Sequence, residues 1–166
     1  MVLTLILSVV VIVSIVLMLW SAVALVQKKA LFSSAPKDVL ATIIERKQER
    51  FKGARTLGWM LIVISMLGIA GAFLFGAYNG IEKHFTFWQF FIRFLMMFYI
   101  YKAFDIICFD WFLLTKSRFF QHYYPEIEGC KSLKKFGFNR KSQIIKIILF
   151  PLIAALIAWL CSLIFS

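Results

Sequence analysis

The sequence predicts an all-α protein: a four-transmembrane-helix bundle with a short interfacial amphipathic helix. Composition is the first reason, since 62% of the 166 residues are hydrophobic and 17% aromatic, more apolar surface than a soluble domain of this size hides. The second is that four stretches, residues 2–26, 57–78, 87–114 and 144–165, are long and apolar enough to span a bilayer, which takes about 20 residues. The third is that the connections are too short for a separate soluble domain, so residues 1–166 read as a single membrane domain.

The first span lacks the basic start and small-residue cleavage site of a secretory signal peptide and is followed by basic residues, so it reads as a retained helix. After it, Pro36 suits a first helical turn and Asp38 the positive end of a helix dipole. Val39, Leu40, Ile43, Ile44 and Phe51 recur at near-helical spacing opposite Glu45, Arg46, Gln48, Glu49, Arg50 and Lys52. This predicts an interfacial helix over residues 36–52, lying in the headgroup region. The second span carries Gly68, Ala72, Gly76 and Gly80 four apart, and the fourth carries Ala154, Ala158 and Ser162. Small residues let membrane helices approach closely, so these faces are expected to meet one another, the third span or a second copy. Pro151 removes one hydrogen bond from the fourth span and predicts a kink or a freed carbonyl.

The net charge of +11 is unevenly distributed. Residues 27–56 hold Lys28, Lys29, Lys37, Arg46, Lys47, Arg50, Lys52 and Arg55. Residues 116–146 hold Lys116, Arg118, Lys131, Lys134, Lys135, Arg140, Lys141 and Lys146, whereas the link at 79–86 has only Lys83. The positive-inside rule puts both long connections in the cytoplasm and both termini outside, in a cell (cytoplasmic) membrane. Trp20, Trp59 and Trp111 at inner ends, with Trp88 and Trp159 toward outer ends, match an aromatic belt. The expected partners are membrane lipids, anionic inner-leaflet headgroups above all, at about 1 kcal/mol per nearby basic residue. No nucleic-acid partner is expected, because the basic residues flank spans and no binding module fits between them.

The third span is the costly one. It holds Arg93, Lys102, Asp105 and Asp110, and an ionisable residue near a membrane centre costs about 2.5–3.5 kcal/mol on insertion scales. On α-helical geometry Asp105 and Asp110 flank Lys102 on either side, about 140° apart, and Tyr99 projects toward the same side. Lys102 and Asp105, three apart, can pair on their own helix. Arg93, nearer the outer face, is expected to snorkel outward. The polar membrane centre is therefore Lys102, Asp105, Asp110 and Tyr99, read either as a structural ion pair or as an ion or proton pathway. The other three spans contain no Asp, Glu or His, which leaves a pathway sparse. A paired-acid intramembrane hydrolase, such as a lipoprotein signal peptidase, needs its carboxylates close enough to share a proton. Two acids on one helix, with no Asn-x-x-Asp-Arg element, do not supply that.

The second connection forms an inner-mouth loop with His122, Glu126, Glu128 and Cys130. Their spacing fits no standard zinc pattern, so no metal is expected, and the aromatics around them suit headgroups. His84 reads as a solvated histidine. Cys108, Cys130 and Cys161 form no Cys-x-x-Cys pair and are not placed for a disulfide. The absence of a phosphate loop, a nucleophile elbow and paired intramembrane histidines removes the commonest cofactor and nucleophile sites, so no cofactor and no catalytic residue is predicted.

Asp105, Asp110 with Trp111, then Pro125, Glu128 and Gly129, then Gly137 and Phe138 form a pattern over residues 104–140. It resembles one found in small, uncharacterised multi-pass membrane proteins of bacteria. Those proteins often read Pro-Gly-Thr-Glu-Gly where this chain has Pro125, Glu126, Ile127, Glu128 and Gly129. The resemblance implies a bacterial cytoplasmic membrane and no reaction. The functional expectation is a non-enzymatic membrane subunit or partner-binding scaffold, with a protein partner or a homo-oligomer. The alternative is a small transporter or channel element using Asp105 and Asp110 as proton or cation sites, with any active site at the inner mouth between Asp110 and the Glu128 loop.

Overall fold

A computed structural model describes residues 1–32, 35–46, 48–134 and 140–164. Lys47, Lys135, Gly137, Phe138 and Phe165, all used in the sequence reading, lie outside the described residues. The described residues form helices and turns without a strand. Helix α1 (Val2–Ser21) runs into a π-helical turn at Ala22–Val26. Helix α2 (Lys37–Thr42) is short, and α3 (Ala54–Glu82) is long. Helix α4 (Phe87–Phe104) continues as a π-helical segment, Asp105–Lys116. Helix α5 (Phe119–Tyr123) and 3-10 turns at Pro125–Ile127 and Lys131–Lys134 lead toward α6 (Arg140–Leu163).

Three helices are long and apolar enough to cross a membrane: Val2–Val26, Ala54–Glu82 and Arg140–Leu163. Large apolar side chains stand exposed along them, among them Val13, Leu67, Leu74, Ile148, Leu152 and Leu156. So much exposed apolar surface suits lipid rather than water. The remaining apolar stretch, 87–114, is divided at Phe104 by a change of hydrogen-bonding pattern.

Contacts divide the chain into two compact units: Met1–Ser14, Met66–Phe104 and Lys141–Ser166 in the first, Ile15–Ser65 and Asp105–Arg140 in the second. In the first unit the small-residue face of α3 receives side chains from α1 and α4. A Cβ on Gly68 would stand 2.6 Å from the Ser14 hydroxyl, and one on Gly76 3.3 Å from Leu7; one on Gly80 would collide with the Phe90 ring. The expected approach to the third span is therefore present, and an approach to the first span accompanies it. Rings extend the contact: Phe73 packs on Phe94 and Phe98, and Phe98 stacks at 5.0 Å on Phe150 of α6.

Arg93 is buried among groups of α3 and of the link that follows it. It is 5% exposed, donating from Nη1 to the Gly76 carbonyl at 2.6 Å and from Nη2 to Asn79 Oδ1 at 3.4 Å. Its guanidinium lies 4.3 Å from the centre of the Phe85 ring. A helical side chain leans over the turn before it, so residue 80 would normally shield the carbonyl of residue 76. With glycine there the carbonyl is open to a charged donor.

Two helix irregularities also have partners. Pro151 has no N–H for the carbonyl four residues back, that of Ile147. The Tyr99 hydroxyl donates to that carbonyl at 3.4 Å. At the end of α3, His84 has φ +50°, its N–H donates to Ile81 and that of Phe85 to Gly80. This is a left-handed helix cap with histidine where glycine is usual.

In the second unit, α2 and the 3-10 turns of the second connection close over a common core. Val23, Phe32, Val39, Ile43, Leu114, Tyr124, Ile127, Cys130 and Leu133 form it. Close by in sequence, Gly58 admits Leu25 and Val26 against the start of α3.

The helix expected over 36–52 is realised only at Lys37–Thr42, and its apolar residues Val39 and Ile43 are buried in this core instead of facing headgroups. Ile44 and Phe51, from the same predicted face, are exposed. The chain leaves the helix at Ile43, where ψ is 124°.

The α3–α4 approach yields a direct test. Gly80→Ala should lower stability in detergent by about 1–3 kcal/mol through overpacking against Phe90. Gly71→Ala, where an added Cβ meets nothing within 4 Å, should be neutral or stabilising by up to about 1 kcal/mol. Thermal unfolding of both variants measures the contrast; equal midpoints would contradict the packing described.

Candidate functional site

The second unit carries a charged clasp and a cleft beside it. Glu126 follows Pro125, whose fixed φ suits the first position of a 3-10 turn. From there its carboxylate reaches back across about eighty residues of sequence. Oε1 accepts from the Ile44 amide at 3.3 Å, and Oε2 takes the Arg46 guanidinium at 2.7 Å. The Ile44 amide thereby has a partner outside the helix that ends just before it. Arg46 lies 5.7 Å from the centre of the Tyr124 ring, and its own carbonyl accepts from Arg55 at 3.0 Å. Arg50 sits similarly, 5.2 Å over Tyr123.

Tyr124 anchors the clasp from beneath. It is 0% exposed and meets Phe32 edge to face at 5.1 Å. Burial pushes its phenol well above the ordinary range, with Arg46 opposing and Glu126 reinforcing the shift. Among the described residues its hydroxyl has no hydrogen-bond partner.

A second carboxylate ties the same two connections together. Asp38 Oδ2 accepts from the Ser132 amide at 3.0 Å and Oδ1 from the Val39 amide at 2.9 Å. The Ser132 amide, then its hydroxyl, hold the Asp38 carboxyl below its usual value, with desolvation opposing and the Val39 amide adding to the lowering. Thr42 donates to the Asp38 carbonyl and accepts from the Cys130 thiol at 3.6 Å. Between these groups lies an open cleft of about 400 Å³ lined by Asp38, Thr42, Glu126, Gly129, Cys130 and Lys131.

The residues singled out in the sequence fare differently. Glu126 is half-buried at the clasp, while Glu128 and His122 are exposed. The His122 ring meets Tyr123 edge to face at 4.9 Å. Among the described residues no three His, Cys, Asp or Glu side chains group closely enough to hold a metal. Lys102 is buried, 2% exposed, in the last turn of α4, and Tyr99 is turned to Ile147 on α6.

Asp105 and Asp110 both fall in the π-helical segment. Its hydrogen bonds run to the fifth residue, as from the Ser117 amide to the Phe112 carbonyl at 2.7 Å. Residues five apart then lie nearly one above the other. The two acids thus share a side of the helix, correcting the wide separation that α geometry predicts.

Arg46, Asp38, Thr42 and Lys131 complete the site, and sequence reading did not bring them together. Arg46 and Asp38 were visible as a basic face and a helix-start acid, but their partners lie at residues 126 and 132. Comparison of the chain with protein families, curated proteins and solved structures found no match.

Two measurements check the clasp. A double-mutant cycle on Arg46→Met and Glu126→Gln should give a coupling of about 1 kcal/mol, as for a partly exposed pair; zero coupling would remove the clasp. Asp38, with a lowered pKa, stabilises the folded unit above its unfolded value of 3.8, and that contribution is lost as pH falls through the lower folded value. Unfolding midpoints should therefore drop below about pH 4 more steeply in the parent than in Asp38→Asn. Parallel curves would show that the Ser132 contact is absent in solution.

Proposed function

We propose that this protein is a non-enzymatic component of the cytoplasmic membrane, a subunit or partner-binding scaffold. In this reading the chain crosses the bilayer four times, with 87–114 as the third crossing. Both termini face outward, and the two basic connections face the cytoplasm and its anionic headgroups. The observation that carries the reading is the clasp. Two connections that composition marks only as basic linkers are folded on each other through Glu126, Arg46, Asp38 and Ser132 around a buried Tyr124. A carrier needs its connections only to join spans; a docking surface needs them ordered.

A second reading, a transporter or channel element, is favoured by one feature. Asp105 and Asp110 share one side of a π-helical segment, and such segments recur at functional sites.

Isolation of the full chain from native membranes in lipid nanodiscs separates the readings. A scaffold co-purifies with a stoichiometric partner or a second copy, and Arg46→Ala reduces that recovery several-fold while the chain stays in the membrane. Isolation without any partner, together with a reconstituted proton or cation flux abolished by Asp110→Asn, would replace the scaffold with the carrier. An alkaline phosphatase fused to the C-terminus should be active; an inactive fusion would overturn the orientation.

A further inference from the structure

The cleft beside the clasp has a chemistry of its own. Its walls carry two carboxylates, Asp38 and Glu126, and one ammonium, Lys131. Asp38 accepts from the Val39 amide and from the Ser132 amide and hydroxyl, and Glu126 accepts from the Ile44 amide and Arg46. A carboxylate has about four lone-pair sites, so both acids keep acceptor capacity while their positions are fixed. Lys131 is exposed, and nothing lies within 4 Å of where a Gly129 Cβ would stand, so the backbone there is bare. A volume of about 400 Å³ lies within the range of small-ligand sites. Glu126 is already paired with Arg46, so a cation alone would meet Lys131 and Arg46 as like charges, and an anion alone would meet Asp38 and Glu126. A molecule carrying both charges complements all three.

We infer that this cleft binds phosphoethanolamine, either as the headgroup of a phospholipid or as the free zwitterion. The primary ammonium donates to Asp38 and Glu126, and the phosphate pairs with Lys131. Because Asp38 belongs to the first connection and Glu126 to the second, the ligand bridges the same two segments as the clasp and favours their docked arrangement. Phosphocholine discriminates against this mode, since a quaternary ammonium has no N–H to donate. The site depends only on the cleft, whether or not a protein partner docks on the same unit.

The test uses the full chain in two settings. In lipid-free detergent, O-phosphoethanolamine and phosphocholine are titrated by calorimetry; in nanodiscs, retained phosphatidylethanolamine is compared with phosphatidylcholine by native mass spectrometry. Phosphoethanolamine should bind saturably and at least about tenfold more tightly than phosphocholine. Gly129→Leu, which fills the cleft, and Lys131→Ala, which removes the phosphate partner, should each weaken binding about tenfold without lowering the ligand-free unfolding midpoint. Saturable binding in detergent identifies the free zwitterion as sufficient, and selective retention only in nanodiscs identifies the lipid headgroup; either supports the site. Equal affinity for both head groups, insensitivity to both variants, or no binding in either setting would overturn it.

Discussion

The carboxylate of Glu126 accepts from the Ile44 amide and from Arg46, and the second unit depends on that pair of bonds. Where α2 stops, the next amide would be left without a helical partner; Glu126 supplies one and adds a countercharge for Arg46. Arg46 can then lie over the buried Tyr124 ring. Asp38 repeats the device at Ser132, so one carboxylate from each connection ties down the other. The acids of this basic protein are accordingly concentrated: of the eight in the sequence, only Glu82 lies in the first unit.

The first unit answers the same demand with different donors. Tyr99 serves the carbonyl that Pro151 leaves open, and Arg93 serves the carbonyl that Gly80 leaves uncovered. Ser8 folds its hydroxyl onto the Thr4 carbonyl, so it is buried without an orphaned donor. In lipid such satisfaction is obligatory, because no water stands ready to supply the missing partner. The polar residues of these helices thus read as main-chain partners before they read as chemistry.

Much of this was legible in the sequence, and the misses have physical causes. Three apolar helices follow from length and composition alone. The carbonyl freed by Pro151 follows from the missing N–H, but its partner Tyr99 could not, since nothing local links residues 99 and 147. The partners of Arg93 were not legible because they lie on another helix, where Gly76 and Asn79 offer their oxygens. The amphipathic pattern over 36–52 holds for Val39 and Ile43, and beyond Thr42 the Ile44 amide is bonded to Glu126 instead of to a helical carbonyl. Asp105 and Asp110 lie closer in angle than α geometry implies because their segment is π-helical, which residue spacing alone does not reveal. The clasp was invisible because its partners are about eighty residues apart, a separation that periodicity cannot bridge.

Arg93 draws its partners from the helix that precedes its own. A helix bearing a lone guanidinium is a poor substrate for insertion by itself, at a cost of about 2.5–3.5 kcal/mol for a central arginine. The groups that receive Arg93, Gly76 and Asn79, are on the immediately preceding helix, which is synthesised first. The cap at His84 turns the chain sharply between them. Helices α3 and α4 thus form a hairpin that solvates its own charge, and a bilayer would admit α4 at lower cost as part of that pair than alone.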